Sequence, residues 1–254
     1  MTTLSPVSAV WQTMRFNRDW FRYLSARLIE PEDDKLLSFR LRTGQTVTMR
    51  GSVRSTLNEI YLHKVYDVPG VDFNKCRRVF DLGANMGLFA LYVAAQAPQA
   101  EIDCVEASSA NFPLLQQNLS ANSERAHAYR MAVSTTCGPR RFSLAGGAGE
   151  YRLDSLASEH FEIVECVDLA GIFAMTGADV CDFLKMDIEG EELPLLMETP
   201  LHVLRRVRAM AMEWHYPELR LEPVQARLVN AGFETWIDRV GHRREQVMLK
   251  ARRV

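Results

Sequence analysis

The run Val79-Phe80-Asp81-Leu82-Gly83-Ala84-Asn85-Met86-Gly87 places a carboxylate ahead of two glycines, and an apolar helical stretch begins at Leu88. A strand that breaks into a glycine turn and then a helix brings backbone N–H groups close to a ligand, an approach that side chains at Gly83 and Gly87 would block. The spacing is D-x-G-x-N-x-G, not the G-x-G-x-x-G whose helix N-terminus faces a pyrophosphate. A carboxylate before the glycines suits a ligand with a cationic amino-acid part and no phosphate. S-adenosylmethionine has that chemistry. A glycine turn that serves packing alone is the competing reading.

Three further apolar runs also end in acids. Ile102-Asp103-Cys104-Val105 leads to Glu106. Phe183-Leu184-Lys185-Met186 leads to Asp187, with Ile188-Glu189-Gly190-Glu191 after it, and Ala209-Met210-Ala211-Met212 leads to Glu213, with Trp214-His215-Tyr216 after it. Carboxylates that converge on one edge repel one another, so stability does not account for all four strand-end acids. Glu106, about twenty residues beyond the turn, can accept hydrogen bonds from the hydroxyls of an adenosine ribose. Capping of the next helix is its alternative. Asp187 and Glu189 fall where a transferred group would sit. Alkylating a hydroxyl needs the oxygen held in line and a base for its proton, and Asp187, Glu213 or His215 could each be that base. A divalent metal held by Asp187 with Glu189 or Glu213 could instead acidify the hydroxyl, and hard oxygen ligands point to magnesium. The residues leave this choice open. His215 has the best-matched unperturbed pKa, though a histidine beside aromatic residues is as readily a packed core residue. Glu191 reads as a first-turn acid facing a helix dipole.

Placing these groups on one edge requires parallel strands. Strand-like runs cover Val79–Leu82, Ile102–Glu106, Ala128–Val133, Phe183–Asp187, Val207–Glu213, Phe233–Ile237 and Gln246–Lys250, and helical runs cover Leu88–Ala97, Asn111–Leu119, Leu169–Met175 and Pro223–Asn230. This alternation predicts an α/β fold with a doubly wound, mostly parallel seven-stranded sheet. Extended pieces at Arg141–Leu144 and Ile163–Val167 predict an extra hairpin. Gly146-Gly147-Ala148-Gly149 reads as a loop without the context of a phosphate cradle. Residues 1–70 form an N-terminal extension and residues 71–254 the ligand-binding domain. The extension is predicted to hold an amphipathic helix over 11–29, with Phe16, Trp20, Tyr23, Leu24 and Leu28 on one face, as a lid or dimer contact. A hairpin of Leu36–Leu41 and Thr46–Met49 around Gly44 follows, then a helical period over 54–65. The extension and the 145–160 loop are expected to shape the acceptor pocket.

A formal net charge of −2 gives no electrostatic case for nucleic acid, and the arginine-rich stretches read as solvated faces. Neither a signal peptide nor a membrane span is evident. Cys76, Cys104, Cys137, Cys166 and Cys181 form no C-x-x-C pair, which suits free thiols in a reducing cytoplasm.

Taken together, Asp81-Leu-Gly-Ala-Asn-Met-Gly87, Val105-Glu106-Ala107 with Asn111 and Asn118, Ala132-Val133-Ser134, Lys185-Met-Asp187-Ile-Glu189-Gly190-Glu191 and Met212-Glu213-Trp-His215 resemble the FkbM family of methyltransferases. The segment Met49–Tyr66, with Arg50, Ser55, Asn58 and Glu59, resembles what precedes the core there. The resemblance implies a class I, Rossmann-like methyltransferase fold and an O-methyltransferase acting on a small-molecule hydroxyl of a sugar, polyketide or other natural product, the alternatives being a peptide or protein acceptor or a non-catalytic S-adenosylmethionine-binding domain. It implies S-adenosylmethionine contacts from Asp81, Gly83, Ala84, Asn85 and Gly87, from Glu106 on the ribose, from Ala107 beside the adenine, and from Ala132 and Asp187. Glu189, Glu213 and His215 would stand at the transfer centre. Ala107 departs from the proline common at its position, which alters loop stiffness only.

Overall fold

The computed structural model describes residues 6–28, 35–144, 152–153, 160–216, 220–240 and 246–254. Helices α1 (Pro6–Phe16) and α2 (Trp20–Leu28) precede a hairpin of β1 (Leu36–Arg40) and β2 (Thr46–Arg50), and α3 (Arg54–Tyr61) follows. The hairpin forms as expected, with Phe39 opposite Val47. The single helix expected over 11–29 is a correction, because two helices form. The chain leaves helical geometry at Asn17 to bridge Leu41, and Arg18 N donates to Arg40 O at 2.8 Å. Asn17 Oδ1 accepts from Asp19 N, and the Asp19 carboxylate takes the Arg40 N–H and guanidinium at 2.8 and 2.6 Å. Pairing with the hairpin outweighs continued helix over residues 17–19. Helix α3 also stops short of residue 65, with Lys64 in the left-handed region at φ +51°.

Next come β3 (Arg78–Leu82), α4 (Leu88–Gln96), β4 (Glu101–Val105), α5 (Phe112–Leu119), β5 (Ala126–Tyr129), β6 (Ala132–Val133), β7 (Gly138–Ser143), β8 (Arg152–Leu153) and β9 (Phe161–Val167). The chain continues through α6 (Leu169–Thr176), β10 (Phe183–Met186), α7 (Glu192–Glu198), α8 (Leu201–Leu204), β11 (Ala209–Trp214), α9 (Leu221–Asn230), β12 (Phe233–Val240) and β13 (Gln246–Arg253). A seven-stranded sheet has the order β12-β13-β11-β10-β3-β4-β5. Strands β5, β4, β3, β10 and β11 are parallel, and β13 runs antiparallel to both neighbours.

The expected strand over 128–133 is a second correction. It divides after Tyr129, where Met131 N turns back onto Tyr129 O, and β6 departs to pair with β9 in a four-stranded sheet ordered β6-β9-β7-β8. The predicted hairpin is the β7–β9 pair of this second sheet. Helices α7 and α8 were not apparent in the periodicity, since they have 7 and 4 residues and Pro194 and Pro200 interrupt the pattern. The Gly146–Gly149 loop lies outside the described residues.

The central strands are apolar on both faces because helices cover both. Val79, Ile102 and Phe183 pack with Leu91 and Phe89 of α4 and with Phe39 and Leu57 of the extension, whereas Phe80, Leu184 and Met186 pack with Ile172, Leu195 and Val224 on the opposite side. The extension thus shares an apolar cluster with the sheet. All five cysteines are free and four are buried. Among the described residues, no helix is long and apolar enough to cross a membrane.

Strand order reverses between β3 and β10. The carboxyl ends of β4, β3, β10 and β11 are therefore neighbours, and they carry the four acids. Buried Asn118 of α5 ties the hairpin to this edge, with Oδ1 accepting from Thr48 N at 2.8 Å and Nδ2 donating to Thr48 O and Met86 O at 2.7 Å. Asn118→Ala leaves these backbone groups unsatisfied and is expected to cost about 3 kcal/mol. Urea denaturation should show a lower midpoint at unchanged slope.

Candidate active site

The glycine turn follows β3 with Gly83, Asn85 and Gly87 at φ +72°, +50° and +81°. Gly83 N and Ala84 N both donate to Val105 O, at 2.9 and 3.0 Å. A Cβ on Gly83 would lie 1.7 Å from the Asp187 carbonyl oxygen, and one on Gly87 would lie 2.8 Å from Leu115 Cδ1. The protein's own backbone and side chains occupy the space a side chain would need at either glycine, as the packing reading expects, and Gly83 also borders a cavity.

A cavity opens beside the turn. Gly83, Asn85, Glu106, Ala107, Ala132 and Asp187 of the predicted cofactor set line it, together with Glu189. Asp81, Ala84 and Gly87, and the predicted catalytic Glu213 and His215, are not among the residues that line it. Glu106 anchors the cavity's β4 side, where Oε2 accepts from Asn85 N and Oε1 from Ser108 N, each at 2.8 Å. Burial pushes its pKa up to about 7 against those two hydrogen bonds. Ser108 Oγ accepts from Ala110 N and Asn111 N in the turn before α5, whose N-cap residue Asn111 makes no side-chain capping hydrogen bond.

Asp81 is fully buried, and its register partner across β3 and β10 is Lys185, whose Nζ lies 3.2 Å from Oδ1. The cation it meets is thus the protein's own. Lys185 also donates to Gly83 O at 2.6 Å and lies 3.6 Å from Asp187 Oδ2. Burial opposes its charge, but Asp81 and Asp187 more than offset this and hold the ammonium above its ordinary pKa. Tyr66 OH donates to the same Asp187 oxygen at 3.3 Å.

The loop from β10 to α7 turns back through Glu189 at φ +52° and Gly190 at φ +105°. It wraps Glu192, which is fully buried and accepts from Ile188 N at 3.0 Å and Gly190 N at 3.1 Å. Glu192 lies 2.8 Å from His215 Nδ1 and fixes that ring. His215 Nε2 then faces Glu189, Glu213 and Asp187 at 3.6, 3.7 and 3.8 Å. The proposed metal carboxylates Asp187, Glu189 and Glu213 are therefore gathered around an imidazole. Asp187, Glu213 and His215 each offer a ligand atom within 4.8 Å of the others.

Burial works against an imidazolium here, yet the Glu192 hydrogen bond and the charges of Glu192, Asp187 and Glu189 raise the His215 pKa to about 10. This corrects the reading of His215 as a base of ordinary pKa. That raised pKa favours the imidazolium at neutral pH, so His215 is a donor to the carboxylates around it. Glu191 accepts from Ser134 Oγ at 2.7 Å and lies 3.7 Å from Arg140, so it has side-chain partners besides the helix dipole. Lys185, Glu192 and Tyr66 received no role from the sequence. Only Lys185 carried a signal, as a charge inside an otherwise apolar strand.

The Methyltransferase FkbM domain matches residues 81–235, and the chain belongs to that family. The 31-O-demethyl-FK506 methyltransferase FkbM of Streptomyces tacrolimicus is 24% identical over 79% of this chain and 90% of its own length. Methyltransferase sdnD of Sordaria araneosa is 26% identical over 77% of this chain and 88% of its own. The AMB antimetabolite synthetase AmbE of Pseudomonas aeruginosa is 24% identical over 73% of this chain, which spans only 11% of that protein. Among solved structures, the delta-N METTL16 MTase domain superposes with a TM-score of 0.51 at 15% identity, covering 84% of this chain and 90% of that one. That likeness concerns the fold.

The His215–Glu192 contact sets a pH dependence. Because the folded pKa is raised, its stabilisation is complete below the unfolded value of 6.5 and is lost as pH rises through about 10. Glu192→Gln should lower the His215 pKa in an NMR titration and flatten the stability loss between those limits.

Proposed function

We propose that the protein is an S-adenosylmethionine-dependent O-methyltransferase whose acceptor is a hydroxyl of a small molecule, of the sugar, polyketide or related natural-product class. The observation that carries this reading is a single cavity lined by Glu106 at the end of β4 and by Asp187 and Glu189 beyond β10, on either side of the β3 glycine turn. The donor set suits the cofactor. Each Glu106 oxygen holds one backbone N–H and keeps a lone pair for a ribose hydroxyl. Ala107, Ala132, Phe142 and Leu153 supply the apolar wall a flat base requires. Asp187 and Glu189 bring negative charge toward a cationic methionine part.

When bound, S-adenosylmethionine supplies a methyl group on a positively charged sulfur. Asp187 Oδ2 is held by Tyr66 and Lys185, and Oδ1 accepts the proton of the acceptor hydroxyl as its oxygen attacks. Glu213 and the His215 imidazolium orient that hydroxyl. The Streptomyces relative's name places its methyl group on an oxygen, which favours O-methylation here.

Calorimetry should show binding of S-adenosylmethionine and none of NAD. Tight NAD binding would overturn the assignment. Glu106→Ala should weaken cofactor binding by roughly tenfold or more, as loss of charge-assisted hydrogen bonds does. Labelled-methyl transfer to a panel of hydroxylated sugars and phenols should fall by about a hundredfold in Asp187→Ala. A chelator control separates proton removal by Asp187 alone from removal assisted by magnesium on Asp187, Glu189 and Glu213.

Glu106 adds a pH signature. A carboxylate accepts two hydroxyl donors and a neutral acid does not, so cofactor affinity should rise from pH 6 to pH 8 as the group ionises through about 7. In Glu106→Gln the affinity should be weaker and independent of pH over that range.

A further inference from the structure

Asp187 is the acid on which the proposed chemistry turns, and its two oxygens have different surroundings. Oδ2 meets Tyr66 OH at 3.3 Å and Lys185 Nζ at 3.6 Å, while Oδ1 lies on the His215 side at 3.8 Å from Nε2. Lys185 is itself immobilised. It is 4% exposed, paired with fully buried Asp81 at 3.2 Å, and bonded to Gly83 O at 2.6 Å. Tyr66 is likewise buried, with its ring edge-on to Phe89 at 5.2 Å and 5.6 Å from the Lys185 ammonium. Tyr66 belongs to the segment before β3, while Lys185 lies within β10.

We infer that Lys185 and Tyr66 are positioning residues that hold Asp187 by Oδ2, fix it against the β3 glycine turn and leave Oδ1 to meet the acceptor hydroxyl. This rests on the methyltransferase reading of the cavity. Neither residue touches the reacting atoms. The buried ammonium gives Asp187 a fixed counter-charge, and the phenol O–H sets the rotation of the carboxylate. The N-terminal extension thereby contributes to the site through one hydroxyl.

Tyr66→Phe removes that hydroxyl and keeps the ring packing. The variant should retain its melting temperature and its S-adenosylmethionine affinity within twofold. Its kcat for labelled-methyl transfer should fall about tenfold, the worth of a hydrogen bond to a charged group, with acceptor KM little changed. Lys185→Met alone would strand a buried Asp81 charge and could unfold the chain, so the second variant is Lys185→Met with Asp81→Asn, which removes the pair together. It should fold and show a kcat loss of at least the same size. Wild-type kcat in both variants would overturn the inference.

A readout without turnover decides the case separately. In apo protein with ¹⁵N-labelled lysine, Lys185 should give a slowly exchanging ammonium resonance that moves in Asp187→Asn. A resonance indifferent to that substitution would overturn the inference. Failure of the wild-type protein to bind S-adenosylmethionine or transfer its methyl would instead overturn the underlying reading, leaving the ammonium result to judge the Asp187 contact.

Discussion

The close approach of the β3 turn to the end of β10 is the constraint on which the site depends. Asp187 O comes so near Gly83 that a single carbon on that glycine would overlap it, at 1.7 Å. Two strand positions earlier, Lys185 and Asp81 face each other in register, and the same ammonium bonds Gly83 O. A buried ion pair of this kind gives little net stability over an apolar pair, but removing one partner costs about 3–5 kcal/mol. What it supplies is registration. Asn85 N reaches Glu106 and Asp187 N reaches Leu82 O because the turn lies flat between β4 and β10. Without the glycine the two carboxylates at the ends of the cavity would have no fixed separation.

The sheet was largely legible because buried parallel strands are continuous apolar runs, and the acids stood out as the polar residues that end them. Glu106 and Asp187 could therefore be placed on one edge without knowing any contact. The two misjudged runs share a cause, which is that a competing partner lay far away in sequence. The helix over 11–29 breaks because Asn17 and Arg18 find hydrogen bonds in the hairpin at Arg40 and Leu41. The strand over 128–133 divides because Ala132 and Val133 pair with Cys166 and Val167. Local periodicity carries no information about either choice.

Within the site the same limit separates residue identity from residue state. His215 was visible as a titratable group near the chemistry, but its charge depends on Glu192, 23 positions earlier, whose orientation depends in turn on backbone N–H groups of the 188–190 loop. Nothing in the sequence singled out Glu192. In the folded protein it is the residue that converts a histidine suited to accept protons into one that donates them. Asp81 shows the converse. Its position before the glycines suggested a contact with a cationic ligand, and the fold supplies a lysine instead.

These two cations explain how so many carboxylates can share one edge. Asp187, Glu189 and Glu213 face His215, with Glu192 behind the ring, while Lys185 stands between Asp187 and Asp81 on the other side. Glu59 of α3 is pushed above its ordinary pKa by burial and then by the charge of Asp187, so the field of that acid reaches the extension. Acids arranged this way hold a negative field that a neutral ligand would waste and an anionic one would oppose. A sulfonium-bearing cofactor brings positive charge into that field and loses it on giving up the methyl, so the edge favours the charged reactant over its neutral product. Asp187 lies at the centre of that field, beside the lysine that also bonds the β3 turn.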